Sequence, residues 1–312
     1  MIKHYYYILK LLRPRQWIKN FALFTALVFG GQLFEIGPLI QVFLGFISFC
    51  LLVSSTYIIN DILDLKKDRL HPFKKARPIA SDKVSVREAT IIFIAILALA
   101  LFIARGVGDG FFLISLLYLA LQMLYSFVFK SIEIFDIFFI AAGYILRVYA
   151  GEMITGYHLS VWLLLTTISL SMFLAIGKRR SELTLLANYA GVRAAEIRQS
   201  LSHYSEPLLA AFIIIFATST FIFYSFFTFL ENPQGPRLSI DFFPDVLPYY
   251  LQRKWLMVTI IPVVYGLMRY LQDIYEKQEG ESPDRVLLSD RSLLASVIIW
   301  GLLVIVIIYF IP

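Results

Sequence analysis

The chain has 312 residues, 59% of them hydrophobic, with a mean hydropathy of +0.75. Ordinary soluble domains carry about 45–50% apolar residues, so this composition excludes a soluble globular domain and points to an all-α polytopic membrane protein. The net charge of +6 is explained by basic residues flanking apolar segments, where they favour anionic lipid, and nucleic acid is excluded as a partner on this reading.

Residues 1–17 lack the apolar core and small-residue cleavage site of a signal peptide. Lys3, Lys10 and Arg13 alternate there with Tyr5, Tyr6, Tyr7, Leu9, Leu11 and Leu12, which predicts an interfacial helix. Nine apolar spans follow, at about 18–35, 38–60, 88–106, 110–129, 134–155, 159–177, 207–229, 254–272 and 292–311, each near the length needed to cross hydrocarbon. With the N-terminus inside, almost every Lys and Arg falls on the cytoplasmic face. The exceptions are Arg105, Arg237, Arg253 and Lys254 outside and Arg147 within a span. That asymmetry supports the nine-span parity. No internal repeat is evident, and 1–312 reads as a single transmembrane domain. Cys50, the only cysteine, falls in a span, so an internal disulfide and a Cys-based metal site are both excluded.

Two cytoplasmic segments, 61–87 and 178–206, carry most of the charge not explained by topology. The first begins where the second span ends, at Asn60-Asp61-Ile62-Leu63-Asp64-Leu65-Lys66-Lys67-Asp68. On a 3.6-residue helix Asn60, Asp61, Asp64 and Asp68 share an arc of roughly 100°. Three carboxylates on one face repel one another unless a cation joins them, and hard oxygen ligands without His or Cys suit Mg2+. A basic loop follows, with Arg69, Lys74, Lys75 and Arg77 among His71, Pro72 and Pro78, and reads either as a clamp for a phosphorylated ligand or as a topological basic loop. The second segment starts at Gly177-Lys178-Arg179-Arg180-Ser181-Glu182-Leu183. There Lys178 and Arg179 are candidates for a second anionic group, or Lys178 and Glu182 pair at i, i+4. The helical spacing of apolar residues over 181–203 predicts a surface helix, and the proline-rich outside segment 230–253 a lid or spacer. Lys130, Asp136 and Tyr125 are placed to line the same chamber. Arg147 stands in an otherwise apolar span, where a cation is costly unless an anion or a polar cavity receives it. It is read as meeting a substrate phosphate or an Asp, or else as pairing internally with Glu152.

These motifs together resemble the UbiA superfamily of intramembrane prenyltransferases, whose NDxxDxxxD motif is matched at every fixed position by residues 60–68. The resemblance implies a nine-helix bundle, Mg2+ as cofactor and Asp61, Asp64 and Asp68 as its ligands, Asp61 and Asp64 being catalytic. Relatives in the broader superfamily place a second Asp-rich motif after the sixth helix, where this chain has Lys178, Arg179 and Arg180. A narrower branch, the decaprenyl-phosphate phosphoribosyltransferases, is similar over nearly the whole chain. It shares Arg13-Pro14-Arg15-Gln16-Trp17-Ile18-Lys19-Asn20, Asp68-Arg69-Leu70-His71-Pro72, Leu146-Arg147, Gly177-Lys178-Arg179 and Leu288-Ser289-Asp290-Arg291. It implies transfer of 5-phosphoribose from phosphoribosyl diphosphate to a polyprenyl phosphate for cell-envelope pentose donor synthesis. The site would lie on the cytoplasmic face of a cell (inner) membrane, with Lys19, Asn60, Arg69, Lys74, Arg77, Tyr125, Lys130, Arg147, Lys178 and Arg179 binding substrate. Membrane lipids are expected partners and a homo-oligomer is compatible. The alternatives are prenyl transfer to an aromatic acceptor and, from another class, a transporter, which would need polar groups along several spans.

Overall fold

The computed structural model describes residues 2–70, 74–187, 203–231, 255–277 and 283–311, and these form helices joined by short turns, with no strand among them. Helix α1 (Ile2–Leu12) packs on α3 (Ile36–Leu63) at the end of the bundle where α5 (Val86–Val107) begins. There His4 pairs with Glu88, and Lys10 Nζ donates to the carbonyl of Ala76. Eight helices among the described residues are long and apolar enough to cross a membrane. They include α3 (Ile36–Leu63), α5 (Val86–Val107), α6 (Asp109–Phe127), α7 (Phe135–Thr155), α8 (Val161–Ala187) and α9 (Glu206–Leu230). The last two are the Trp255–Glu276 span, with α10 (Ile260–Gln272) at its centre, and α12 (Arg291–Phe310). Between α3 and α5 lies the short α4 (Leu65–Leu70), and before α12 lies α11 (Pro283–Ser289).

The expected span at 18–35 is corrected by the structure. It is a 3-10 stretch, Pro14–Leu23, followed by the six-residue helix α2 (Phe24–Phe29). The chain nevertheless runs antiparallel to α3 here. Arg13 meets Asp61, Trp17 donates to Ser54, Asn20 donates to Cys50, and Phe21 and Phe24 pack on Phe46. At the far end Leu33 N–H reaches the Tyr309 hydroxyl. At about 2.0 Å per 3-10 residue and 1.5 Å per α residue the segment climbs roughly 29 Å, the thickness of a hydrocarbon core. The segment thus runs beside α3 for about the length of a span, next to eight regular candidate spans among the described residues. Arg13 starts the climb in left-handed geometry (φ 52°), a conformation that costs about 1–3 kcal/mol in a non-glycine residue and persists only where neighbours hold it.

Helix α7 is central because its small residues admit neighbours from several sides. Ile137 and Ala141, Ala150, and Val148 belong to three separate apolar clusters of the interior. A methyl group on Gly151 would lie 2.0 Å from the Leu23 carbonyl oxygen, so at this point the backbones of α7 and the first crossing touch, a packing mode common between membrane helices. The predicted sixth span continues past residue 177 without a break, carrying α8 about seven ångströms beyond Arg179's turn to Ala187. The remainder of the expected surface helix, residues 188–202, and most of the outside segment, 232–254, lie outside the described residues.

Candidate active site

Three groups of side chains meet at the end of the bundle that carries residues 60–68. The first is the Asn60–Asp68 segment. Helix α3 stops at Leu63, where Asp64 leaves helical geometry (ψ 5°), and Asp68 belongs to α4. The carboxylates are turned to separate cations. Asp61 Oδ1 accepts from Arg13 Nη2 at 2.5 Å and from Arg77 Nη1 at 3.0 Å, and the same Arg77 nitrogen donates to Asp68 Oδ2 at 2.6 Å. Lys130 Nζ donates to Asp64 Oδ1 at 2.6 Å. The expectation of one cation held jointly by Asp61, Asp64 and Asp68 is therefore corrected: among the described residues no three His, Cys, Asp or Glu side chains converge as a metal cluster. The break at Asp64 splits the arc that a continuous helix would have formed, and arginine and lysine relieve the repulsion. Burial pushes the Asp68 carboxyl above the usual carboxylate range, Arg77 pulling it back and Asp61 adding to the rise.

One feature fits a hard cation. Asp61 Oδ2 and Asn60 Oδ1 are buried and accept no hydrogen bond, although a buried acceptor without a donor is costly. Two buried acceptors of this kind, on consecutive residues at a helix end, suit Mg2+, which takes one or two protein oxygens and is completed by water and phosphate. Arg69 does not join this group. It pairs with Asp82 at 2.6 Å on the exposed surface. His71, which opens the basic loop, lies outside the described residues.

The second group comes from α8. Arg179 is fully buried. Its Nε lies 2.7 Å from Asp136 Oδ2, Nη1 donates to Glu182 at 2.5 Å and Nη2 to the Tyr125 hydroxyl at 2.9 Å. Asp136, also fully buried, accepts from Tyr204 at 2.6 Å. Burial and this hydrogen bond push the Tyr204 phenol well above its ordinary range, keeping it a donor. Direct phosphate contact by Arg179, as expected from sequence, is corrected: the guanidinium has carboxylate and phenol partners and no exposed surface. Glu182 links this network to the first, because Lys74 Nζ stands 3.5 Å from its Oε1. Lys178 is half-buried one residue before Arg179.

The third group extends inward. Arg13 stacks on the Tyr57 ring (4.7 Å), Tyr57 donates to Gln16 Oε1 (3.1 Å), and Lys19 donates to the same oxygen (2.5 Å). Lys19 and Arg147 both face the Tyr144 ring, at 5.9 and 5.6 Å. Arg147, only 4% exposed, donates from Nε to Asn20 Oδ1 (2.8 Å), from Nη1 to the Gly143 carbonyl (2.5 Å) and from Nη2 to the Tyr118 hydroxyl (2.9 Å). The alternative of an Arg147–Glu152 pair is excluded, since Glu152 meets His158 instead. Sequence reading gave no role to Tyr118 and Tyr144, which look like ordinary span residues, and met Gln16 and Tyr57 only as members of shared motifs. Arg13 and Glu182 had a weak signal, the first as a flanking charge and the second as an i, i+4 partner.

Residues 21–289 match the UbiA prenyltransferase family. The chain belongs to that family. Among its relatives, the decaprenyl-phosphate phosphoribosyltransferase of Corynebacterium glutamicum is 31% identical, with 98% of this chain and 87% of the relative covered. The enzyme of the same name from Mycolicibacterium smegmatis is 32% identical, covering 94% and 89%. Among solved structures, a UbiA homologue from Archaeoglobus fulgidus bound to GPP and Mg2+ superposes with a TM-score of 0.68 at 24% identity, covering 96% of this chain and 99% of that one. That similarity establishes the UbiA fold, all-helical and membrane-spanning, as expected from the motif at residues 60–68.

Proposed function

We propose that the chain is an Mg2+-dependent phosphoribosyltransferase of the UbiA family, moving 5-phosphoribose from phosphoribosyl diphosphate to a polyprenyl phosphate at the cytoplasmic face of a cell membrane. One observation carries the reading. A single carboxylate-bearing helix end, Asp61 with Asp64 and Asp68, stands among Arg13, Lys74, Arg77 and Lys130, while the place of a second acidic motif is occupied by Lys178 and Arg179. One metal-bound diphosphate plus two separate phosphates suits this balance of charge; a prenyl diphosphate between two acidic motifs does not. The names of the bacterial relatives support a polyprenyl phosphate acceptor and transfer of a phosphoribosyl group.

The reaction needs control of charge more than proton transfer. A polyprenyl phosphate is already an anionic nucleophile, so no activated Ser, Cys or His is required. Its oxygen forms the new bond to C1 of the ribose as the C1–O bond to diphosphate breaks. The electron pair leaves with diphosphate, and in-line attack inverts C1. Asn60 and Asp61, with Asp64 alongside, would hold Mg2+, which supplies charge neutralisation at the departing diphosphate. Arg77 and Arg13 fix the Asp61 carboxylate, Lys130 fixes Asp64, and Lys74 and Lys178 supply positive potential along the cytoplasmic rim. Arg179 positions Glu182, which in turn meets Lys74.

The test is an assay of purified protein in detergent or lipid with Mg2+, labelled phosphoribosyl diphosphate and polyprenyl phosphate. Diphosphate and a phosphoribosylated lipid are expected, with no prenyl transfer from prenyl diphosphates to 4-hydroxybenzoate-like acceptors. The reverse pattern would overturn the assignment in favour of prenyl transfer.

A further inference from the structure

The turn between α6 and α7 delivers two charged side chains to two different networks, Lys130 to Asp64 at 2.6 Å and Asp136 to Arg179 at 2.7 Å. Its backbone is strained. Ile134 has φ 67° and ψ −50°, and the Phe135 N–H donates to the Glu133 carbonyl at 2.7 Å. That combination is a γ-turn of positive φ, a rare and strained conformation, centred here on a β-branched residue, for which positive φ is an outlier. Strain of this kind persists only where surrounding contacts over-determine it.

Aromatic rings fix the first half of the turn. Phe129 stacks on Phe139 with centroids 4.3 Å apart and meets Phe135 at 5.4 Å. The strained residue is held from a distant part of the chain. The hydroxyl of Tyr204, two residues before α9, accepts the Ile134 N–H at 2.6 Å and donates to Asp136 Oδ1 at 2.6 Å. Tyr204 is 6% exposed and belongs to the apolar cluster that includes Ile137 and Leu209, so packing anchors its ring while the hydroxyl bridges both sides of the bend. Neighbouring His203 stands 3.6 Å from Glu133. Both of those side chains are about half exposed, and surface pairs contribute little, so the grip on the turn rests chiefly on the Tyr204 hydroxyl.

We infer that Tyr204 is a positioning residue of the reaction centre: by pinning the strained turn at Ile134 it sets Lys130 against Asp64 and so fixes that carboxylate. The inference rests on the proposed reaction at the Asp61–Asp64 end of α3 and deepens it. Tyr204 acts through the backbone, since its hydroxyl meets Ile134 and Asp136 and the turn carries the effect to Lys130. Removing the hydroxyl leaves Asp136 its Arg179 partner on Oδ2, so the consequence falls on the bend and on the lysine it presents.

The experiment uses the full-length protein in detergent and compares wild type with Tyr204→Phe, each alone and combined with Lys130→Met. Two readings need no turnover. Amide hydrogen exchange over residues 129–136 and amine acylation of Lys130, both followed by mass spectrometry, should accelerate at least about fivefold in Tyr204→Phe, as expected for loss of one hydrogen bond. Acylation of the exposed Lys83 should stay unchanged. The third reading is turnover. Tyr204→Phe should lower kcat at least about fivefold on its own and by less than about twofold on top of Lys130→Met, because substitutions that act through one group are not additive. A tyrosine that only supports the fold would give the same loss in both backgrounds. Unchanged exchange, unchanged Lys130 reactivity, or equal losses with and without Lys130 would each overturn the inference. Should Tyr204→Phe fail to fold, the same comparison is made in Ile134→Gly protein, where glycine adopts positive φ without steric strain and Tyr204 still accepts the amide. Absence of transfer by wild type would overturn the proposed function instead, and the exchange and acylation results would still decide the role of Tyr204.

Discussion

At the scale of the residue, the site is a set of alternating charges in which each buried group depends on its neighbour. Asp61 is 2% exposed between Arg13 and Arg77, and breaking a buried pair of this kind costs about 3–5 kcal/mol. Asp61→Asn keeps the shape and removes the charge. Turnover should fall at least about 100-fold, the usual loss when an electrostatic contributor at the departing group is removed, and Asp64→Asn should do the same. Near-normal turnover in both, with folding verified by thermal unfolding, would sink the metal-site assignment. Lys178 and Arg179 should part company. Removing Arg179 leaves the buried Asp136 and the half-buried Glu182 beside an empty position, so Arg179→Ala should lower stability by about 3–5 kcal/mol. Lys178→Ala should leave the unfolding midpoint within a degree or two and raise the KM for phosphoribosyl diphosphate or the lipid. Equal unfolding temperatures for the two variants would refute the structural role given to Arg179. The adjacent positions look alike in sequence, and the difference expected between them follows from burial: Arg179 is fully buried against Asp136, whereas Lys178 is only half-buried.

At the scale of the element, the first crossing shows what hydropathy reports and what it leaves out. Residues 18–35 are apolar enough to be read as a helix, and they do traverse the bundle, but as a 3-10 stretch and a short α-helix. Its shape answers to contacts distant in sequence: Trp17 and Asn20 reach Ser54 and Cys50, and the Leu23 carbonyl lies against Gly151. Gly151→Ala would place a methyl group 2.0 Å from that carbonyl oxygen, and backbone cannot yield as a flexible side chain does. A loss of about 1–3 kcal/mol is expected, as for overpacking elsewhere, read as a lower unfolding temperature in detergent. Gly37→Ala, at a position where a methyl group meets nothing within 4 Å, serves as the control. Equal stability of the two variants would show that the close approach does not constrain the fold. The regular spans were legible because each is a long apolar run bounded by charge. The capping residues Ser85, Ser205 and Asp290, which accept the N–H of Glu88, Leu208 and Leu293, mark three of their starts.

At the scale of the whole molecule, the proposed chemistry requires a metal and a side of the membrane. Chelation of divalent cations should abolish transfer and added Mg2+ restore it; persistence of turnover in chelator would remove Mg2+ from the mechanism. The positive-inside rule predicts that residues 61–87 face the cytoplasm, so in a Cys50→Ser background a cysteine at Lys75 should be protected from an impermeant thiol reagent in intact cells and labelled after lysis. By itself the sequence determined the membrane character, the eight regular apolar spans and the family motif. Those properties are set locally, by the cost of polar groups in hydrocarbon and by the distribution of Lys and Arg. Only the tertiary structure decided which charges face one another. It set Arg13 and Arg77 on Asp61, sealed Arg179 behind Asp136 and Glu182, turned Arg69 out to Asp82, and left Arg147 among neutral partners. The physical reason is that the energy of a buried charge depends on groups brought within a few ångströms by packing, often from a hundred residues away.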